Sequence, residues 1–455
     1  MNKNVKYITL IVAFVIVLVF PTVLYALVGK KLDNVNYEQR TMAQRPSLTS
    51  ENLRDFSKEF EAYYSDNMPF RNQFIRLNAT FDYHAFKDAP SDIVVLGKKE
   101  WLFYNEDIDN MLDVNQVSEG QINQITKNLI NAQSVLANQG IDMMLYIVPD
   151  KARVYKEFVP DYIVNRMPEE NSVITLMKAL AENAPQVKVV FPYDTIMEYK
   201  NANPDITLYG RCDTHWNTVG AYLGAEDFLK GLDVQIPSIE TQTITMEESK
   251  NYDLTGILNT KVRGAKDYSI EADVTGYAKD DLRDVNGFKY TSYDVSNEGK
   301  KDLFVSRDSF ALALSDFIAP AYNNSTWVHH EFFDQSQVFE AMPDVYVYEC
   351  IERNVNLLYD WQISFVDVEE TVDGVSRILN ISPAVPKTEN RYVFVKKYEV
   401  ADGNAGEGID VISAEPLADG SKVVLEDGKS YLVCIIISDD KFNILESRDY
   451  KVNLE

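Results

Sequence analysis

Residues 303–310 read Leu303-Phe304-Val305-Ser306-Arg307-Asp308-Ser309-Phe310, and Ala311-Leu312-Ala313-Leu314-Ser315-Asp316-Phe317-Ile318 follow. The run 303–306 has the character of a buried strand and 311–318 that of a helix, so Ser309 falls on the turn between them. In open α/β sheets reactive groups gather beyond the carboxyl ends of the strands. Serine is a poor nucleophile at neutral pH. It needs an adjacent base, and the base needs a partner that fixes its tautomer and stabilises the imidazolium. The stretch Arg211-Cys212-Asp213-Thr214-His215-Trp216-Asn217 offers both, a carboxylate and an imidazole two residues apart on one loop. A lone histidine is more often structural than catalytic, and the pairing with Asp213 and Ser309 is what distinguishes His215.

Outward from these motifs, strand and helix alternate. Residues 91–104 read as paired strands turned at Gly97. Ser118 and Gln121 form a capping-box pattern that opens a helix through Ile122, Ile125, Leu129 and Leu136, which stops at Gly140. Residues 143–148 are a short apolar run of the buried-strand type. A helix over 172–183, a strand over 187–191 and a helix over 218–230 continue the pattern. Such alternation predicts a parallel sheet with helices on both faces. Residues 232–301 lack a strong period, are rich in acidic residues and hold short strand-like pieces, and they read as an insertion that shapes or covers the cleft. Beyond Asp360, strand-like runs at 362–368, 375–381, 391–395, 422–425, 430–437 and 443–450 alternate with Asp-Gly turns, which predicts a small β-sandwich.

The 455-residue length exceeds what one core supports, so several domains are expected. The boundaries read as a membrane anchor at 1–31, a helical membrane-proximal segment at 32–90, a catalytic domain at 91–360 and the β-sandwich at 361–455. Residues 51–83 read as helical, with Leu53, Phe56, Phe60 and Tyr64 on one face. A net charge of −26 excludes nucleic-acid binding, because nothing would neutralise phosphates. Three cysteines, Cys212, Cys350 and Cys434, form no Cys-x-x-Cys pair, so neither a zinc site nor any cofactor is indicated. Residues 7–28 are almost uninterruptedly apolar, about the length that crosses a bilayer. Lys3 and Lys6 precede them and Lys30 and Lys31 follow, so charge leaves the orientation balanced. The poor small-x-small site favours an uncleaved anchor, with the bulk of the chain outside the cytoplasm.

The Asp213-Thr214-His215-Trp216-Asn217 run, the small-residue helix with Gly220, Ala221, Gly224 and Ala225, and Arg307-Asp308-Ser309-Phe310 together resemble the DHHW and alginate O-acetyltransferase-like proteins of the SGNH hydrolase superfamily. So do Glu38 to Ala43 with Pro46 and Leu48, Asn67-Met68-Pro69-Phe70-Arg71, and Trp101 to Tyr104. Ile147 to Lys151 with Val154-Tyr155, Asp344 to Glu349 and Glu352-Arg353-Asn354 complete the likeness, in order along the chain. Two positions depart from it: Thr214 stands where the pattern has a second His, and Arg307 where the esterase signature has Gly.

The resemblance implies an SGNH-like α/β fold and a membrane-anchored O-acyltransferase that moves acetyl groups onto a cell-surface polysaccharide. Ser309 is the expected nucleophile, His215 the base and Asp213 its orienter. Arg307, Asp308, Trp216 and Lys151 are candidate substrate-binding or oxyanion groups, beside backbone N–H groups after Ser309. The acyl donor is expected from a polytopic membrane acyltransferase. An acetyl esterase would use the same triad with water, and a non-catalytic glycan-binding or assembly protein could use the same scaffold. No motif separates these readings.

Overall fold

The computed structural model describes residues 3–29, 32, 42–48, 54–81, 92–248, 253–258, 266–273, 278–284, 287–373, 376–401, 404–426 and 428–452. Lys30, Lys31, most of the 38–43 motif and the turn residues Gly374, Asp402, Gly403 and Asp427 lie outside the described residues.

The strands in chain order are β1 (Val94–Leu96), β2 (Leu102–Tyr104), β3 (Asp142–Val148), β4 (Lys188–Val190), β5 (Thr245–Glu248) and β6 (Lys266–Ser269), then β7 (Ala278–Asp284), β8 (Gly287–Asp294), β9 (Leu303–Arg307), β10 (Asn324–His329) and β11 (Val345–Ile351). One seven-stranded sheet has the order β4-β3-β11-β9-β10-β8-β7. Its five strands from β4 to β10 run parallel. The last two join antiparallel, β8 on β10 and β7 on β8.

Period-two alternation sends each parallel strand's side chains into two cores. On one face Leu145, Ile147, Phe304, Tyr346 and Tyr348 meet the helices Glu119–Gln139 and Ser172–Asn183. On the other, Met144, Tyr146, Val305 and Val347 meet Thr218–Gly231 and Ala311–Ile318. The capping box between Ser118 and Gln121 is present, and Gly140 ends that helix at φ +86°. There the left-handed backbone favours glycine.

Three regions differ from the sequence reading. The helix expected over 51–83 is two helices, Phe56–Asn67 and Arg71–Phe81, where described. Pro69 forbids helical backbone at Met68, which is extended at ψ 145°, and Phe70 turns to φ +60°. Residues 278–294, read as part of an insertion, supply β7 and β8 to the main sheet. In the β-rich C-terminal region a strand not anticipated, Ile409–Pro416, pairs with Tyr392–Ala401. That region contains a three-stranded and a five-stranded sheet. Their residues Leu379, Ile381, Val393 and Ile435 share a core with the Glu119–Gln139 face of the central sheet.

The expected anchor coincides with the helix Lys3–Val28. Side chains at positions 13, 17, 18, 21 and 22 lie outside the described residues. Among the described residues, no helix is long and apolar enough to cross a membrane.

Gly220 marks the tightest approach between helix and loop. A Cβ there would stand 2.3 Å from the Leu208 carbonyl oxygen and 3.1 Å from the Trp216 Cβ. Gly220→Ala is expected to cost about 1–3 kcal/mol through overpacking. A lowered thermal unfolding midpoint is the readout, and an unchanged midpoint would show that the loop yields freely.

Candidate active site

The loop over 207–217 is held from several directions. Tyr209 bridges Trp216, and the Tyr209 hydroxyl donates to the Pro149 carbonyl at 2.6 Å. The Leu208 N–H donates to the Tyr155 hydroxyl at 2.8 Å. Asn217 caps the helix Thr218–Gly231 by accepting from the Val219 and Gly220 N–H groups, each at 3.1 Å. Beneath it lies Lys151, fully buried, whose ammonium donates to the carbonyls of Leu102 (2.6 Å), Arg211 (3.1 Å) and Asp213 (2.7 Å). Burial pulls this ammonium down to about 8, while neighbouring Cys212, Asp107, Asp213 and Asp253 favour its charge. At neutral pH it remains the cation that three carbonyls require.

The turn after β9 is held as firmly. Asp308 accepts from the Phe310 N–H at 2.9 Å and from the Ile351 N–H at 2.7 Å. Its own N–H donates to the buried Glu349 carboxyl at 2.9 Å. Burial, with the Asp308 charge, pushes Glu349 well above the usual carboxylate range. Trp216 joins loop and turn, donating from its indole to the Phe310 carbonyl at 3.0 Å.

Between these two supports, Ser309 Oγ stands 2.8 Å from His215 Nε2, and His215 Nδ1 stands 2.9 Å from Asp213 Oδ1. The Asp213 carboxylate also accepts the His215 backbone N–H at 2.9 Å. Burial disfavours the imidazolium. The hydrogen bond and charge of Asp213, with the charge of Asp253, outweigh it and hold His215 above the ordinary imidazole value. Burial alone would raise Asp213, but its bonds to His215 keep it below the usual carboxylate range. The His215 side chain is 35% exposed, so solvent and substrate reach it.

The structure therefore brings Ser309, His215 and Asp213 together. It gives the other four candidates different places. Lys151 has its donors turned to backbone carbonyls, away from any substrate. Arg307 is 1% exposed and donates to the Asp308 carbonyl at 3.4 Å. Asp308 and Trp216 are buried supports of the turn. The Phe310 N–H, expected to face an oxyanion, is committed to Asp308.

Two residues outside the sequence-derived site belong to this neighbourhood. Arg353 donates to Asp107 at 2.7 Å and lies 5.6 Å from the Phe310 ring centroid. Asp253 lies against Thr214 and His215. Asp213, His215 and Asp253 each offer one ligand atom within 4.8 Å of the others, a spacing that would admit a cation. Both imidazole nitrogens already face hydrogen-bond partners, which reads as a proton-handling site. A cavity of about 750 Å³ lined by Trp101, Phe158, Arg211 and Tyr268 lies apart, with neither Ser309 nor His215 in its wall.

Residues 94–305 match the family model "SGNH hydrolase-like domain, acetyltransferase AlgX", a stretch that includes Asp213 and His215 and ends just before Ser309. A Pseudomonas syringae pv. tomato protein described as "Probable alginate O-acetylase AlgJ" is 30% identical over 177 residues, 38% of this chain and 41% of that protein. Its namesake in Pseudomonas aeruginosa is 28% identical over 173 residues, 37% of this chain and 41% of that protein. The chain thus spans about two-fifths of the length of the curated relatives it matches. Among solved structures, Bacillus cereus PatB1 is 16% identical with a TM-score of 0.45, covering 58% of this chain and 97% of that one. The O-acetyltransferase domain of Pseudomonas putida AlgJ is 19% identical with a TM-score of 0.37, covering 58% and 92%.

Lys151→Met keeps the length of the side chain and removes the donor. Leaving buried carbonyls unsatisfied is expected to cost about 3 kcal/mol, measured by urea unfolding. A change below about 0.5 kcal/mol, typical of an inert surface position, would contradict the clamp.

Proposed function

We propose that the chain, whose residues 94–305 match the SGNH hydrolase-like acetyltransferase domain, is a membrane-anchored, extracytoplasmic O-acetyltransferase of the alginate O-acetyltransferase-like kind acting on a cell-surface polysaccharide. The observation that carries the reading is the continuous hydrogen-bonded line from Ser309 through His215 to Asp213. In this mechanism His215 Nε2 takes the Ser309 proton as Oγ attacks the acyl carbonyl carbon. The tetrahedral intermediate collapses, the donor's leaving group departs with the proton from Nε2–H, and acyl-Ser309 remains. A sugar hydroxyl then gives its proton to Nε2 and attacks the acyl carbon; the second intermediate collapses, Nε2–H returns that proton to the departing Ser309 Oγ, and the acetylated sugar is released. Asp213 holds the Nδ1–H tautomer throughout. The permanent charge of Arg353, beside Phe310, supports negative charge building near Ser309.

The exposed rim around His215 suits a polymer that lies across the surface, and it also admits water, so slow hydrolysis of the acyl-enzyme is part of the reading. The acyl donor is proposed to come from a polytopic membrane acyltransferase, and residues 361–455 to be a β-sandwich that flanks the catalytic domain. For the anchor, support comes from the 26-residue length of Lys3–Val28 and from the exposure of Ile8, Leu10, Ile11, Phe14, Phe20 and Leu27. At 1.5 Å per residue such a helix is about 39 Å long, against a hydrocarbon core of about 30 Å.

Three outcomes follow for nitrophenyl acetate turnover by the detergent-solubilised full chain. Ser309→Ala and His215→Gln each abolish it without altering circular dichroism, and Asp213→Asn reduces it less. The base must be neutral, and His215 is held above the ordinary imidazole value, so kcat/KM falls on acidification through a midpoint above 6.5. Wild-type turnover in Ser309→Ala, or a midpoint at or below that of a free imidazole, would contradict the mechanism. Adding an oligosaccharide acceptor diverts acetyl from water to sugar if the protein is a transferase, and leaves hydrolysis unchanged if it is an esterase. The anchor is tested by fractionation: the full chain sediments with membranes and needs detergent, whereas recovery as free protein in the medium would rule the anchor out.

A further inference from the structure

Asp253 lies outside both sequence motifs, 39 residues from Thr214, at the head of the short helix Asp253–Ile257. Its Oδ1 accepts the Thr214 N–H at 2.9 Å, and its Oδ2 accepts the Thr214 hydroxyl proton in a short bond. Its own N–H donates back to Asp213 Oδ2 at 3.3 Å. Asp253 thus clasps the loop at two consecutive residues, Thr214 through its carboxylate and Asp213 through its backbone N–H, and Oδ2 stands 3.7 Å from His215 Nδ1.

The proton inventory is decisive. A hydroxyl has one proton and two lone pairs. The Thr214 proton is given to Asp253, so its oxygen faces His215 Nδ1, 3.0 Å away, as an acceptor. Nδ1 must then carry the imidazole proton, shared between Asp213 and Thr214, and Nε2 presents its lone pair to Ser309. Asp213 imposes this tautomer from one side, and the Thr214–Asp253 arm imposes it from the other. Thr214 is also where the chain departs from the Asp-His-His-Trp pattern; an imidazole there would have no hydroxyl to relay.

We propose that Asp253 is a second carboxylate of the active site, a positioning residue that acts through the Thr214 hydroxyl to fix the His215 tautomer and to stabilise the imidazolium formed when Ser309 loses its proton. The proposal rests on the reading of His215 as the catalytic base. The charged groups about the imidazole are Asp213 and Asp253, which favour its cation, and Arg353, which opposes it. Lys151 faces the two carboxylates from below. Removing the Asp253 charge therefore leaves Asp213 alone against Arg353 and burial, and the histidine loses protons at lower pH.

The test combines a binding-independent and a catalytic readout on the full chain in detergent. The imidazole nitrogens of ¹⁵N-histidine-labelled protein are titrated by NMR, and kcat/KM for nitrophenyl acetate is followed against pH. Asp253→Asn and Thr214→Val are each expected to move the His215 titration and the acidic limb of kcat/KM to lower pH. Thr214→Ser keeps the hydroxyl and should retain the parent profile. The turnover left in Asp213→Asn should fall further in Asp213→Asn/Asp253→Asn. A His215 titration unmoved by Asp253→Asn, or moved equally by Thr214→Ser and Thr214→Val, overturns the proposal. The two readings fail separately. An unmoved titration with turnover still dependent on Ser309 removes only Asp253, while a shifted titration in a protein without Ser309-dependent turnover removes only the acyl-transfer reading.

Discussion

The buried ammonium of Lys151 joins two pieces of chain that share no secondary structure: the hairpin strand β2 through Leu102, and the histidine loop through Arg211 and Asp213. All three of its donors are used, and each satisfies a carbonyl withdrawn from water. Lys151 follows β3 at the carboxyl end of the sheet, so the clamp ties the loop to a central strand of the fold. The His215 ring is where it is because this cation fixes the backbone on its N-terminal side and Asn217 fixes it on the other.

The turn that carries Ser309 depends on a different kind of support. Asp308 spends its carboxylate on the N–H groups of Phe310 and Ile351, coupling the end of β9 to the end of β11. Ser309 projects from a turn pinned on both sides by these bonds, and the indole of Trp216 fastens that turn to the histidine loop. Preorganisation of this kind matters because catalytic groups that must be reoriented during reaction lose much of their advantage. The acidic and basic side chains around the rim, Asp107, Asp150, Glu352, Arg153 and Arg353, form a buried network of ion pairs under the same edge. Paired in this way, the charges define the edge without exposing an isolated one.

Much of this was legible in the chain. Capping residues and buried apolar runs marked the helix ending at Gly140 and the strands around Tyr146 and Val305, because those signals are local. The meeting of Ser309 with Asp213 and His215 was legible from the strand–turn–helix context and the Asp-x-His spacing. Spacing says which residues reach the rim, not which way they point, so it does not reveal that Arg307 and Lys151 are buried or that the Lys151 ammonium turns to backbone carbonyls. Asp253 carried no local signal at all: its partner is far away in sequence, and only the folded chain relates them. The edge strand β7 and its neighbour β8 were legible only as strand-like pieces of an insertion, because their polar composition, natural where one face meets solvent, obscures their place in the main sheet. The Asn286-Gly287 pair between their sequences was a hairpin signal that could have found them. Pro69 likewise marked the helix break in advance.

The central claim is that Ser309 carries the acyl group between donor and acceptor. The direct measurement is mass spectrometry of the purified full chain after brief exposure to an activated acetyl ester, quenched in acid. The account predicts one added acetyl group, mapped to the peptide containing Ser309, absent in Ser309→Ala, strongly reduced in His215→Gln, and discharged by an oligosaccharide acceptor. Acetylation that persists in Ser309→Ala, or a Ser309 peptide that stays unmodified while ester is consumed, would contradict it.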